Sequence, residues 1–163
     1  MLQRIKTLLK NAAGSGGQGT QLPDERLAVC AILLEVAYAD QEFAPEEYSV
    51  ITGQLKTYFG LEPDEVEKLI ALAEQERQAA TDLWPFTSKI AREYTPDKKE
   101  ALLTIVWQVI FADGKLDPYE DQLARRFQSM LSVNHSVLMA AKAKARALQK
   151  ESAKEGQKER TAQ

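Results

Sequence analysis

Two stretches of this chain are copies of one another and decide its fold. They read AVCAILLEVAYADQEFAPEE at residues 28–47 and ALLTIVWQVIFADGKLDPYE at residues 101–120. With a shift of 73 residues they are identical at seven of 20 positions, where ordinary composition would give about one or two identities. The identical pairs are Ala28/Ala101, Ile32/Ile105, Val36/Val109, Ala39/Ala112, Asp40/Asp113, Pro45/Pro118 and Glu47/Glu120. Two buried helices would share apolar residues for packing reasons, but packing does not explain why Asp, Pro and Glu recur at the same offsets. The repeat therefore predicts a duplicated helical hairpin with pseudo-twofold symmetry.

The first half of each copy is apolar nearly all round, which is typical of a helix buried on most sides. The other segments carry a single apolar stripe and are punctuated by Pro and Gly, which favours amphipathic helices around two central ones. No alternating β-branched run is bounded by hairpin turns, so strands are not expected. The predicted fold is all-α, a compact bundle of about seven helices built from two related hairpins. The predicted helices lie near residues 23–39, 45–59, 63–79, 82–93, 97–112, 118–131 and 135–150.

Composition divides the chain into four parts. An amphipathic N-terminal helix is expected at residues 1–13, followed at 14–21 by a flexible linker that contains GSGGQG. The helical domain is expected at 22–150 and a polar, frayed tail at 151–163. Residues 22–121 carry 21 acidic and 9 basic side chains, a net charge of −12, and the remaining residues carry +9. The acidic body is either a set of solvated helix faces or a collector of cations, with basic ends that meet an anionic surface.

A turn with helix-capping residues follows the second central helix. Gly114 suits a left-handed position after the helix end. Asp117 is a good N-cap, Pro118 a good first helical residue, and Glu120 stands where it can close a capping box. Capping explains most of this motif, but it leaves Asp113 unexplained. Asp113 adds a third carboxylate to the same turn, and carboxylates this close repel one another unless a cation neutralises them.

The carboxylates of the two copies are therefore candidate metal ligands, because hard oxygen donors favour Ca²⁺ or Mg²⁺. An EF-hand is excluded, since its loop is longer than the eight residues from Asp113 to Glu120. In the first copy, Gln41 replaces the glycine and Ala44 replaces the capping Asp, while Phe43 and Tyr48 fit a hydrophobic staple. The candidate ligands in the second copy are Asp113, Asp117 and Glu120. The first corner is kept acidic by Asp40, Glu42, Glu46 and Glu47. The alternative, in which these carboxylates only cap helices, stays open.

Two copies of this Ala-Asp-x-x-hydrophobic-x-Pro-x-Glu corner, each after a buried helix, resemble the TerB-like family of tellurite-resistance proteins over about residues 22–148. The resemblance implies a compact all-helical fold of two related halves. It also implies acidic clusters proposed to bind a divalent metal, which correspond here to Asp40, Glu47, Asp113 and Glu120. Family members are associated with bacterial stress and tellurite-resistance systems and resemble interaction modules rather than enzymes. A shared domain does not by itself assign this chain to tellurite resistance.

The single cysteine and the single histidine restrict the available chemistry. One cysteine excludes an intramolecular disulfide and an all-cysteine zinc site, and one histidine excludes any site that needs two. Cys30 lies in an apolar helix and His135 at a helix start, so neither indicates a nucleophile–base pair. The net charge of −3 and the lack of an aromatic stacking platform argue against nucleic acid. We therefore expect neither an enzyme nor a nucleic-acid-binding protein, with Trp84 and Trp107 in the core.

The candidate partner-binding residues Leu2, Ile5, Leu8 and Leu9 form one apolar stripe in the basic N-terminal segment. The stripe is too short for a stable helix on its own. Docking on the body or on a protein partner is favoured over an anionic membrane, where contact would be weak and reversible. Neither a secretory signal nor a transmembrane stretch is expected, so the predicted location is the cytoplasm, with peripheral contact at the inner face of the membrane as an addition.

These patterns and the resemblance favour a non-enzymatic cytoplasmic helical module that binds Ca²⁺ or Mg²⁺ through duplicated acidic corners. Its expected partner is a protein, in a stress-response or tellurite-resistance-type assembly. The alternative is a pure protein-interaction or scaffold domain without metal, whose acidic residues serve as helix caps.

Overall fold

The computed structural model describes residues 24–39, 43–114 and 118–162, and within these ranges the chain forms helices and no strands. The helices are α1 (Glu25–Ala37), α2 (Pro45–Phe59), α3 (Pro63–Ala79), α4 (Trp84–Glu93), α5 (Pro96–Ile110), α6 (Pro118–Met130) and α7 (His135–Thr161). The all-α prediction is confirmed. Four helices begin with Pro at their first position, where its missing N–H costs nothing and its fixed φ suits the helix.

The two central helices, α1 and α5, lie against each other in the core. Around them, α2, α3 and α4 pack on α1, while α2, α6 and α7 pack on α5. Nine of the 13 residues of α1 are buried, and Leu102, Leu103, Val106 and Val109 of α5 are fully buried. Burying each large aliphatic side chain contributes about 1.5–3 kcal/mol, so these two helices supply much of the driving force for folding. Their predicted central position is confirmed.

The sequence repeat is also a repeat of backbone structure. The residues after the two central helices, Tyr38 and Phe111, have nearly the same backbone angles, φ −88° and ψ −1° against φ −82° and ψ −3°. Each helix then ends in the same pair of hydrogen bonds. These are Tyr38 N–H to Leu34 O and Ala39 N–H to Val36 O in the first copy, and Phe111 N–H to Trp107 O and Ala112 N–H to Val109 O in the second. The next helices begin at Pro45 and Pro118, which are 73 residues apart. The ends of the two central helices therefore repeat in backbone structure as well as in sequence.

Three local expectations need correction. The last helix continues to Thr161, well beyond the predicted end near residue 150, so much of the expected frayed tail is helical. Trp84 is 59% exposed rather than buried, because it occupies the first position of α4 at the surface; Trp107 is buried as predicted. Gly114 does adopt a left-handed conformation, with φ +72°. However, α5 already ends at Ile110, so this glycine shapes the following turn and is not the residue next to the helix cap.

None of the helices in the described ranges is long and apolar enough to cross a membrane.

Candidate functional site

The structure places only part of the predicted ligand set. Asp113 lies half-buried in the turn after α5, and Glu47 lies buried at the third position of α2. Asp40, Asp117 and the side chain of Glu120 fall outside the described residues. The N-terminal stripe of Leu2, Ile5, Leu8 and Leu9 also falls outside them.

The described residues do not by themselves make a metal centre. Within them, no three His, Cys, Asp or Glu side chains are grouped so that they could hold an ion. The carboxylates of Glu47 and Asp113 are donors of the chemical type that suits Ca²⁺ or Mg²⁺. Further oxygen ligands for a site at either corner would come from the acidic residues beyond the described ranges. The donor chemistry suits the implied metal, but the described residues alone do not form a site for it.

Glu47 has a structural role that the structure shows directly. Its Oε2 accepts a hydrogen bond from the backbone N–H of Ala44 at 3.0 Å, and its exposed fraction is only 5%. This is the returning half of a capping box. The other half is missing, because Ala44 at the N-cap has no side-chain acceptor. A negative charge in the first turn also interacts favourably with the helix dipole. The buried carboxylate of Glu47 therefore stabilises the start of α2 with no metal involved.

Aromatic side chains close the first corner. The Phe43 ring lies 5.7 Å from the Tyr48 ring in an edge-to-face arrangement, and 4.9 Å from the ring of Tyr38. Phe43 precedes the N-cap and Tyr48 is the fourth residue of α2, so the predicted hydrophobic staple is present. Tyr38 extends this stack to the end of α1. The three rings fix the direction in which the chain enters α2, and thereby the place of Glu47.

A charged cluster beside the first corner was not predicted from the sequence. The guanidinium carbon of Arg77 lies 4.3 Å from the centre of the Tyr38 ring. Arg77 Nη1 is 3.2 Å from Glu35 Oε2, and its Nη2 is 3.5 Å from Glu74 Oε2. A hydrogen bond with Glu74, followed by burial, raises the pKa of Tyr38. Since Arg77 offsets the two carboxylates, this cluster ties α3 to α1. The spacing of Glu74 and Arg77 on one helix signals their pairing, but the sequence does not show that Glu35 and Tyr38 meet them.

Basic residues of α7 border the second corner. The rings of Trp107 and Phe111 stack at 5.4 Å, with Lys142 Nζ 4.6 Å from the centre of the Trp107 ring. Arg146 lies 5.4 Å from the Phe111 ring, and Gln149 Nε2 donates to the backbone oxygen of Phe111 at 2.7 Å. Cations and donors at the C-terminal end of α5 complement its dipole and its free carbonyl groups. The turn that carries Asp113 therefore starts from a helix end that is held by α7.

Cys30 lies in the core and His135 at the surface. Cys30 is fully buried, and burial, with a smaller effect of Glu74, raises the pKa of its thiol to about 12. A protonated, inaccessible thiol is a poor nucleophile. His135 is an exposed first residue of α7, next to the N-cap Asn134. Both positions agree with the expectations from the sequence.

Fold and sequence together define a class of protein: the described residues form a helical bundle, and an acidic sequence motif recurs after each of its two central helices. The family model of the tellurite resistance protein TerB matches residues 26–143, and the chain belongs to this family. The crystal structure of a protein of unknown function from Porphyromonas gingivalis is similar, with a TM-score of 0.59 and 20% sequence identity. That match covers 82% of this chain and 99% of the other, and it shows the shared fold. No curated protein matches the chain.

Proposed function

We propose that this TerB-family chain is a non-enzymatic, cytoplasmic helical module that binds Ca²⁺ or Mg²⁺ at its acidic corners. In the second corner the ligands would be Asp113, Asp117 and Glu120, and the first corner would contribute Asp40 and Glu47. The observation that carries the proposal is the duplication itself, because Asp, Pro and Glu recur at equal offsets after two helix ends with matching backbone geometry. Helix packing explains why apolar residues are identical in the two copies, but it does not explain why Asp40 recurs as Asp113.

A bound divalent cation would neutralise the carboxylates of a corner and connect the end of one helix to the start of the next. The helix ends on either side of Asp113 would then move less relative to each other. A surface with a metal-dependent shape of this kind suits a module that recognises a protein partner in a stress-response or tellurite-resistance-type assembly. The non-enzymatic role is supported by the burial of Cys30 and the exposed position of His135, the only such residues in the chain.

One observation favours a second candidate function, a protein-interaction domain without metal. Glu47 already uses Oε2 to accept the backbone N–H of Ala44. The same position in the second copy is Glu120, which the sequence places at the third residue of α6. If Glu47 and Glu120 only cap helices, their equal positions in the two copies result from helix capping and do not indicate a metal ligand.

Thermal unfolding of the full chain distinguishes the two functions. A ligand that binds only the folded state at a hundred times its Kd raises stability by about 2.7 kcal/mol, which corresponds to an increase in Tm of roughly 5–11 °C for a domain of this size. We expect millimolar Ca²⁺ or Mg²⁺ to raise Tm relative to EDTA, and Asp113→Asn to remove the increase. Asp64→Asn, in the exposed first turn of α3, is the matched control and should keep it. If neither ion moves Tm of the parent protein, the metal-free function replaces the metal-binding one.

A further inference from the structure

A groove lies where the first turn of α1, the end of α2 and the first turn of α5 meet. Its volume is about 420 Å³, and it is lined by Glu25, Tyr58, Phe59, Asp97, Lys98 and Ala101. An apolar cavity of about 150 Å³ already accepts a benzene-sized group, so this groove has room for several apolar side chains. The rings of Tyr58 and Phe59 meet edge to face at 4.8 Å and form its aromatic wall.

The polar groups of the groove are largely engaged with one another. Tyr94 Oη donates to Glu25 Oε1 at 2.7 Å, and Tyr58 Oη donates to Tyr94 Oη at 3.4 Å. Lys98 Nζ lies 3.8 Å from the same oxygen of Glu25. The aromatic wall thus offers apolar contact, while Glu25 and Asp97 give the rim two negative charges against the single positive charge of Lys98. The occupant that fits best combines an apolar stripe with basic side chains.

We propose that this groove is the docking site of residues 2–12 of the same chain. That segment carries the stripe of Leu2, Ile5, Leu8 and Leu9, and a net charge of +3 from Arg4, Lys6 and Lys10. Its charge is opposite to that of the body, where residues 22–121 carry −12. The apolar stripe faces Tyr58 and Phe59, and the basic side chains face the acidic rim. This inference does not depend on metal binding at the acidic corners.

The place where the chain enters the fold supports this occupant. Asp24 is the N-cap of α1, and its neighbour Glu25 lines the groove, so residue 23 is joined to the fold at the groove's edge. Residues 13–23 can span up to about 36 Å when extended, and a flexible chain of that length has a typical end-to-end distance of roughly 18 Å. A short flexible tether also gives an effective concentration of the order of millimolar, so weak contacts are enough for occupancy.

Disulfide cross-linking in the full chain tests the docking. In a Cys30→Ser background, Ala101→Cys in the groove is combined with Ile5→Cys or Leu9→Cys on the apolar stripe. The matched controls combine Ala101→Cys with Gln3→Cys or Thr7→Cys on the opposite face of the segment. We expect an apolar-face pair to form an intramolecular disulfide at least tenfold faster than both control pairs at micromolar protein. Changing Leu2 and Leu8 to Asp should reduce that rate to the control level.

Four results would overturn the proposal. Equal rates for all four pairs would mean that the segment samples the surface without docking. Disulfide-linked dimers in place of cross-linked monomers would assign the groove to a second copy of the chain. Unchanged cross-linking in the Leu2→Asp, Leu8→Asp background would show that the stripe is not what binds. Loss of the fast cross-link on adding anionic phospholipid vesicles, with the protein pelleting, would assign the stripe to a membrane.

Discussion

Glu47 is the residue at which the contributions of helix capping and metal binding can be measured separately. Its Oε2 accepts the Ala44 N–H at 3.0 Å in a site that is 5% exposed. Glu47→Ala removes this acceptor and leaves the Ala44 N–H without it. Glu47→Gln keeps an oxygen that can accept the same hydrogen bond but removes the negative charge that a cation would need. The two substitutions thus separate the role of the hydrogen bond from the role of the charge.

The expected magnitudes follow from this geometry. Loss of a capping side chain costs about 0.5–2 kcal/mol, and a buried hydrogen bond to a charged group contributes roughly 1.5–3 kcal/mol. We therefore expect Glu47→Ala to lower the free energy of unfolding by about 1–2 kcal/mol, which lowers Tm by roughly 2–8 °C. Glu47→Gln should cost only about 0.3–1 kcal/mol, the value of a charge near a helix N-terminus.

The chain supplies its own control in Glu65. This residue is also third in its helix, and its Oε2 accepts the backbone N–H of Glu62 at 2.8 Å, but it is exposed and lies outside both acidic corners. Urea denaturation in EDTA measures the capping contribution of each glutamate. Repeating it with millimolar Ca²⁺ or Mg²⁺ measures the ion's contribution, which Glu47→Gln should reduce and Glu65→Gln should not. The reasoning fails if Glu47→Ala leaves the stability in EDTA within about 0.3 kcal/mol of the parent, well below the cost of a lost cap.

The remaining predictions concern the caps, the glycines and the buried thiol. Ala44→Asp should stabilise the protein by about 1 kcal/mol in urea denaturation, because Ala44 has the extended backbone of an N-cap and lacks an acceptor. Gly53→Ala, in the interior of α2 with no neighbouring atom in the way, should raise stability by about 0.5–1 kcal/mol. Gly60→Ala should lower stability by about 1 kcal/mol, because φ is +63° there; equal signs for the two glycine variants in thermal melts would contradict this. Burial raises the pKa of the Cys30 thiol from 9.0 to about 12. The protonated thiol therefore contributes fully to the free energy of unfolding below pH 9, and this contribution is lost as the pH rises toward 12. In urea denaturation across that pH range, Cys30→Ala should lose less stability than the parent protein.

Much of the fold could be predicted because it depends on patterns that are local in sequence. Pro at a first helical position and apolar residues at helical spacing fixed the starts of α2, α3 and α6. The all-round apolar character of residues 28–37 and 101–111 identified the two central helices, since such a helix can only be buried. The hydrophobic staple of Phe43 and Tyr48 could likewise be predicted, because the two residues lie just before the N-cap and at the fourth position of α2.

Features that depend on distant contacts or on exposed surface were not predicted. The Arg77 cluster joins residues up to 42 positions apart, and nothing in the sequence pairs them. Trp84 was expected in the core because large aromatic residues usually are, but its position at a helix start leaves it exposed. The continuation of α7 beyond residue 150 could have been predicted from the sequence. Glu151 and Glu155 each precede a lysine by three residues, and this spacing favours an exposed helix.

The two corners have different residues before the helix that follows them, and this difference affects which corner could bind a cation. The first corner lacks a side-chain cap at Ala44 and is held by the aromatic stack around Phe43, with Glu47 committed to a backbone hydrogen bond. The second corner has Asp117 at the sequence position equivalent to Ala44, where the sequence predicts a capping carboxylate. A cation at the second corner would therefore have three carboxylates available within eight residues. At the first corner it would compete with a hydrogen bond that stabilises α2. We accordingly expect Asp113→Asn to reduce any Ca²⁺- or Mg²⁺-dependent stabilisation more than Glu47→Gln does. A larger effect of Glu47→Gln would place the site at the first corner and show that the bond to Ala44 does not prevent coordination.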